Sequence, residues 1–293
     1  MYEEFYNFVT MPFENTPDPR FFFASEQHRE ALAAIEYTIR MRKGIVLVTG
    51  EIGSGKTTVG RTMIQRCGDK ATIIQLVHGH SKGVELLRHV LRMLQVQFAK
   101  ADDHAELLEY LEKHLLTHQR QNRPVVLFVD EAQTLSDEAL EELRLISNFD
   151  TNTAKLLQLV LVGQPELRDR IRSQHMMALR QRIVMAKQLK PLSIQDVAGY
   201  VRHRIRAASR DRDRVTVSFS GDSIETLYEC AQGVPRLINV ICDNCLLLGY
   251  VKEAHRITPS MVRHVIDDMV PSFENDQDWG ESDQPPLSLT GSF

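Results

Sequence analysis

Short apolar runs recur along residues 45–49, 71–77, 125–129, 156–162 and 183–189, most of them dense in Val, Ile and Leu. Between them lie stretches of helical periodicity near 57–67, 83–97, 103–121, 136–148 and 165–181. Near-continuous apolar strands alternating with amphipathic helices predict a parallel sheet covered on both faces, an α/β fold of three αβα layers. Ser25 stands where it can cap a helix from about Glu26 to Met41, and Gly44 can close that helix. After Pro191 the strand pattern stops. Helical runs near 193–209, 221–232, 235–252 and 259–269 predict a small all-helical second domain.

The two ends of the chain depart from this rhythm. Phe5, Tyr6, Phe8, Phe13, Phe21, Phe22 and Phe23 crowd the first 24 residues together with Pro12, Pro17 and Pro19. That stretch is too apolar for a solvated tail, so an ordered arm packed on the α/β core is expected. Residues 271–293 carry Glu274, Asp276, Asp278, Glu281 and Asp283 with no lysine or arginine, and are expected to be disordered. The predicted division is therefore an arm over 1–24, a core over 25–190, a helical lid over 191–270 and an acidic tail over 271–293.

Candidate chemistry begins where the first apolar run ends. Gly50-Glu51-Ile52-Gly53-Ser54-Gly55-Lys56-Thr57 matches the P-loop pattern in the context that pattern requires: strand, glycine-rich turn, helix. The glycines let successive N–H groups turn toward phosphate oxygens, and the helix that follows, through Thr58, adds its N-terminal partial charge. Lys56 would put a point charge near the β- and γ-phosphates, and the Thr57 hydroxyl would hold Mg²⁺. The pattern predicts a nucleoside triphosphate site.

Val125–Val129 runs into Asp130-Glu131. Asp130 at the strand end would complete the Mg²⁺ shell, and Glu131 would polarise a water for attack on the γ-phosphate. Gln164 ends the run 156–162 and can lie beside them, where it would help to orient that water. Arg180 and Arg182 are candidates for a guanidinium supplied to a neighbouring subunit, since spread phosphoryl charge favours one. Arg236 opens a helix after Gly233-Val234-Pro235, where a cation opposes the helix dipole unless an anion sits nearby, so it is a candidate nucleotide sensor.

The remaining features receive plainer readings. Cys242 and Cys245 have the spacing of a metal or redox pair but sit in an apolar helical run, so core packing is expected. His78 and His80 lack a third ligand, and Trp279 stands alone in the acidic stretch. A chain of 293 residues with 43% hydrophobic and 25% charged residues is of ordinary globular composition, and its net charge of -4 carries no global sign of nucleic-acid affinity. No apolar run reaches the ~18 residues of a membrane span. Met1-Tyr2-Glu3-Glu4-Phe5 lacks a basic leader. Unpaired cysteines suit a reducing compartment, so a cytoplasmic protein that is not integral to a membrane is expected.

Taken together, these motifs resemble the AAA+ ATPases, in particular the general secretion pathway protein A (ExeA-type) family. The resemblance runs from about Met1 to Met269. It rests on Met11-Pro12-Phe13, Thr16-Pro17-Asp18-Pro19-Arg20, His28-Arg29-Glu30-Ala31-Leu32, the P-loop and Asp130-Glu131-Ala132-Gln133. It continues through Leu143–Asn148, Val162-Gly163-Gln164-Pro165-Glu166-Leu167, Gln181-Arg182-Ile183 and Gly233–Asn239. It implies a P-loop NTPase core with a helical lid, ATP and Mg²⁺ as cofactors, Lys56 and Thr57 as Walker A, Asp130 and Glu131 as Walker B, and Gln164 as sensor 1. It also implies Arg182, with Arg180 second, as the arginine finger, and Arg236 as sensor 2. Gln27 and His28 would lie by the adenine.

A finger acting in trans implies a homo-oligomeric ring or filament. Two functions follow as expectations: an ATPase that assembles or remodels a protein partner of a secretion or envelope system, and an ATP-gated DNA-binding regulator of the transposition type. The second draws on the arginine-rich stretch from Met176 to Arg214, where Arg202, Arg206 and Arg210 recur at helical spacing.

Overall fold

The computed structural model describes residues 1–16, 18–76 and 83–274. Along the first half of the chain it contains α1 (Tyr2–Phe5), α2 (Glu26–Arg40), β1 (Ile45–Gly50), α3 (Lys56–Cys67), β2 (Thr72–Leu76), α4 (Gly83–Met93), α5 (His104–Arg120) and β3 (Val125–Val129). These are followed by α6 (Asp137–Ile146), β4 (Leu157–Gly163), α7 (Pro165–Arg172), α8 (Met177–Arg180), β5 (Ile183–Leu189) and α9 (Ile194–Ala208). The last elements are β6 (Ser218–Phe219), α10 (Gly221–Ala231), α11 (Pro235–Val251), β7 (Arg256–Ile257) and α12 (Pro259–Glu274).

Strands β1 to β5 form one parallel sheet in the order β2-β3-β4-β1-β5. The three inner strands are buried along their whole length, as their near-continuous apolar runs require. The outer strand β5 alternates half-buried and exposed positions. One face of the sheet packs against α4, α5 and α6 through Leu86, Leu107, Leu111 and Leu143, and the other against α2 and α3 through Ile35, Val59 and Met63. Gln158 sits fully buried inside β4, and both ends of its amide are satisfied: Oε1 accepts from Gly44 N at 2.9 Å and Nε2 donates to Lys155 O at 2.9 Å. Serine caps open several helices; Ser25, Ser136, Ser193 and Ser220 each accept a backbone N–H of the first turn. The sheet order carries β1, β3 and β4 side by side, so the segments leaving their carboxyl ends share one edge.

Residues beyond Pro191 form the helical domain, with its own core of Val197, Val201, Leu227, Ile238, Ile241, Cys242, Cys245 and Leu246. Four expectations need correction. The aromatic arm packs mainly on this helical domain: Tyr2, Tyr6, Phe8, Phe13 and Phe21 belong to its core, while Phe22 packs against the α2–α3 side of the sheet domain. Backbone and side chains fasten it there, with Val9 N donating to Ala208 O at 2.8 Å and Thr216 Oγ1 to Tyr6 O at 2.6 Å. The helices alone leave an apolar face that the arm covers, whereas the sheet is already covered on both faces. The helical domain also contains one parallel strand pair, β6 with β7. The single helix expected over 165–181 is broken at Ser173, whose extended backbone separates α7 from a 3₁₀ turn and α8. Arg210 lies past the end of α9, so it shares no helix face with Arg202 and Arg206.

α12 continues to Glu274, beyond the expected boundary at residue 270. Val77, His78, His80, Trp279 and the acidic stretch past Glu274 lie outside the described residues. Among the described residues no helix is long and apolar enough to cross a membrane, no disulfide is present, and no group of three or more His, Cys, Asp or Glu is placed to hold a metal ion.

Candidate nucleotide site

The P-loop leaves β1 at the shared edge and bends through Gly53 and Gly55, whose φ angles of 76° and 91° lie in the left-handed region that residues with a Cβ rarely adopt. A Cβ on Gly55 would also meet His28 Nε2 at 2.8 Å. Gly55 is the N-cap of α3 and no side chain caps that helix, so its first N–H groups are left to face the cavity in front of them.

That cavity has a volume of about 460 Å³. Ile52, Gly53, Gly55, Lys56, Thr57 and Thr58 form one wall, and Glu131 and Gln164 enter from β3 and β4. Gly50, Glu51 and Ser54 belong to the same turn but do not line the cavity. Lys56 is buried, and its ammonium donates to Gly50 O at 2.8 Å and Glu51 O at 2.9 Å. Burial pushes its pKa down, against the upward pull of Glu131 and Asp130. An anion in the cavity would meet the α3 N-terminus and this poorly solvated cation together.

Thr57 Oγ1 donates to Asp130 Oδ2 at 3.2 Å, which brings the two predicted metal ligands into contact. Burial raises the Asp130 carboxyl above its ordinary range, and the neighbouring Glu131 charge adds to the rise, while the Glu131 N–H on Oδ1 at 3.0 Å opposes it. A hydroxyl and a carboxylate oxygen are hard donors, and two adjacent acids favour a divalent cation, so the set fits Mg²⁺.

Glu131 adopts a left-handed backbone (φ 51°), a strained conformation for a residue with a Cβ, and so turns away from the strand toward the cavity. Its Oε2 accepts from Gln133 Nε2 at 2.6 Å and from Gln164 Nε2 at 3.4 Å. Gln133 Oε1 in turn accepts the backbone N–H of Gln164 at 3.0 Å.

The far end of the cavity is made by the arm and the helical domain: Glu14, Asn15, Phe21, Phe22, Phe23, Tyr200, Arg204 and Asn239. Arg204 is buried; it donates to Pro12 O at 2.5 Å, Glu14 O at 2.8 Å and Tyr200 Oη at 2.8 Å, and lies over the Phe21 ring. Tyr200 Oη passes the chain on to Asn239 Oδ1 at 2.7 Å, and Asn239 Nδ2 donates to Asn15 Oδ1 at 3.1 Å. Arg236 also lines the cavity, and its backbone N–H donates to Gly53 O at 3.3 Å, so the helical domain touches the P-loop directly.

The predicted residues therefore divide. Lys56, Thr57, Asp130, Glu131, Gln164 and Arg236 come together. Arg180 and Arg182 do not line the cavity; Arg182 is held by Asn148 Oδ1 at 2.7 Å and Arg180 by Arg172 O at 2.9 Å. Gln27, expected by the adenine, turns outward to accept from Lys190 N at 2.6 Å, while His28 does line the cavity. His28 is buried between Ser54 O, 3.1 Å from Nε2, and Ser25 Oγ, 2.6 Å from Nδ1. A carbonyl only accepts, so Nε2 carries the proton and the ring braces the P-loop; burial lowers its pKa. Tyr200, Arg204, Asn239 and Gln133 carried no assigned role in the sequence. Gln133 and Asn239 fell inside motifs of the resemblance without a role, and Arg204 left a trace as an arginine on the apolar face shared by Val197, Val201, Ile205 and Ala208.

Fold and site together define a P-loop protein of the AAA+ class. A family model described as an AAA domain matches residues 39–171. General secretion pathway protein A of Aeromonas hydrophila is 37% identical over 257 residues, which cover 88% of this chain and 46% of that protein. The chain belongs to the AAA+ ATPase family, to its general secretion pathway protein A type, and spans about half the length of that curated relative. Solved structures share the fold at low identity. The Aeropyrum pernix ORC2 protein in its ADPNP-ADP complexes has a TM-score of 0.63 at 15% identity, covering 87% of this chain and 71% of that one. The Thermotoga maritima RuvB Holliday junction branch migration motor has a TM-score of 0.53 at 18% identity, covering 85% and 70%.

Proposed function

We propose that this protein binds and hydrolyses Mg²⁺-ATP at subunit interfaces of a homo-oligomer, and uses the cycle to assemble or remodel a protein partner of a secretion or envelope system on the cytoplasmic side. The observation that carries the hydrolytic part is the convergence of Lys56, the Thr57–Asp130 pair, Glu131 and Gln164 on one cavity. Thr57 and Asp130 would hold the Mg²⁺, which when bound neutralises charge on the transferring phosphoryl group. Lys56 would leave its two carbonyl partners for phosphate oxygens. Glu131, engaged through Oε2, keeps Oε1 to accept a proton from the attacking water. Gln164 would orient that water from the neighbouring strand.

Arg236 would report bound nucleotide to the helical domain through its contact with the P-loop. Arg182, with Arg180 second, would act on the site of an adjacent copy, in keeping with neither of them lining its own cavity. The working division is a core over 25–190 and a lid over 191–270 that includes the arm over 1–24. The DNA-regulator reading has less support: Arg210 is off the helix, and Arg206 is engaged by Asp213 Oδ1 at 3.1 Å and Arg212 O at 3.1 Å.

The test is ATP turnover against protein concentration, with and without duplex DNA, for the wild type and Glu131→Gln. The variant should bind ATP and turn it over at least about a hundredfold more slowly. Wild-type turnover in Glu131→Gln removes the assignment. DNA stimulation that weakens with salt transfers the protein to the regulator reading.

A further inference from the structure

We infer that Gln133 is the residue that aims Glu131, and that its carboxamide ties the catalytic carboxylate to the strand carrying Gln164. The inference rests on the proposed hydrolysis and deepens it.

Gln133 lies two residues past Glu131, in the 3₁₀ turn Ala132–Thr134. Its amide is used at both ends. Nε2 donates to Glu131 Oε2 at 2.6 Å, and Oε1 accepts the Gln164 N–H at 3.0 Å. A carboxamide is planar, so fixing the oxygen fixes the direction of the N–H that meets Glu131. Gln164 adds only a long contact of 3.4 Å from its own Nε2 to the same oxygen. The shorter bond dominates.

The surroundings hold Gln133 in this pose. Its backbone oxygen accepts from Arg170 Nη1 at 2.8 Å, and the same guanidinium is anchored by Asp137 Oδ1 at 2.5 Å. Gly163 leaves room for the amide: a Cβ there would stand 2.9 Å from Gln133 Oε1 and 2.7 Å from Leu167 Cδ2. The strained backbone of Glu131 supplies the complementary reason. A glutamate at φ 51° on a short turn has a long side chain with several rotamers open to it, and without a partner the carboxylate would sample them. Gln133 and Gln164 both meet Oε2, so that oxygen is spent on direction and Oε1 stays available for the water. Gln133 touches no substrate atom in this scheme. It is a positioning residue, acting through Glu131.

The test uses the full chain with four proteins: wild type, Gln133→Leu, Glu131→Gln and the double variant. Gln133→Leu should lower kcat about tenfold to a hundredfold while the affinity for a fluorescent ATP analogue and the melting temperature stay at wild-type values. In the Glu131→Gln background, Gln133→Leu should change nothing further, because its target is gone. Arg170→Ala should move kcat the same way by a smaller factor.

An unchanged or increased kcat in Gln133→Leu overturns the inference, as does an equal loss of nucleotide affinity and stability, or additive losses in the double variant. A crystal structure of the wild type with a non-hydrolysable ATP analogue tests it independently of turnover: Gln133 Nε2 should remain within hydrogen-bond distance of Glu131 Oε2, and a separated pair overturns it. If Glu131→Gln turns over ATP normally, the proposed function falls on its own, and the crystal structure still decides the hydrogen bond.

Discussion

The sheet domain and the helical domain reach stability by opposite routes. In the sheet domain the three inner strands arrive as near-continuous apolar runs, and the helices beside them in sequence cover the sheet in space. Its chemistry is local in the same sense, because the P-loop, Asp130-Glu131 and Gln164 each follow directly on a strand. The helical domain is not complete within its own stretch of chain. It imports Tyr2, Tyr6, Phe8, Phe13 and Phe21 from the other end of the molecule, and its buried Arg204 is satisfied by two carbonyl groups of that arm. Tyr6 Oη donates to Ala254 O at 3.0 Å, and Tyr2 Oη donates to Asp243 on α11. The lesson is that the arm and the helical domain share one core and the far end of the cavity, so a change in the arm is a change in the helical domain.

The comparison can be broken most strongly at Tyr6. Tyr6→Ala should destabilise the protein by about 3–5 kcal/mol, read as a lower urea midpoint, with protease cutting within 191–270 before the sheet domain. Equal proteolysis of both regions would mean that the arm is not specific to the lid. Arg204→Leu comes next, at about 2–3 kcal/mol by the same measurement, because Pro12 O and Glu14 O lose a charged donor inside the protein.

The sheet side is sharpened by Gly60→Ala on α3, whose new Cβ would meet the Phe128 ring at 2.3 Å. A loss of about 1–3 kcal/mol is expected, with the arm's attachment to the lid unchanged by hydrogen exchange. The smallest effect concerns His28, which ties the P-loop to α2. Its folded pKa lies below the ordinary 6.5, so the unfolded chain takes up the proton first as pH falls. Stability should therefore decline as pH drops below about 6.5 and level off beneath the folded pKa. His28→Asn should flatten that decline by less than about 1.4 kcal/mol per pH unit. His114, His118 and His203 shift in the same direction and keep part of the slope in the variant. A steeper decline in His28→Asn would mean that the ring is charged in the fold.

Much of the fold was legible because parallel strands buried on both faces cannot hide their pattern: the run 125–129 is β3 residue for residue. The cavity wall from Ile52 to Thr58 was legible for a similar reason, since strand, turn and helix are contiguous. The break at Ser173 was not legible, because 165–181 keeps helical periodicity through it and only packing ends α7. The partnership of Gln133 with Glu131 was equally hidden. Its acceptor side depends on the Gln164 N–H, which reaches it only because β3 and β4 are neighbours.

By itself, then, the sequence determined the α/β core, the P-loop and the acidic pair at the end of β3, all of them features written in adjacent residues. Only the tertiary structure decided where the arm goes, which arginine is buried, and which amide holds Glu131. Those outcomes depend on apolar faces and hydrogen-bond partners from distant parts of the chain, and composition and periodicity report that such groups exist without saying which of them meet.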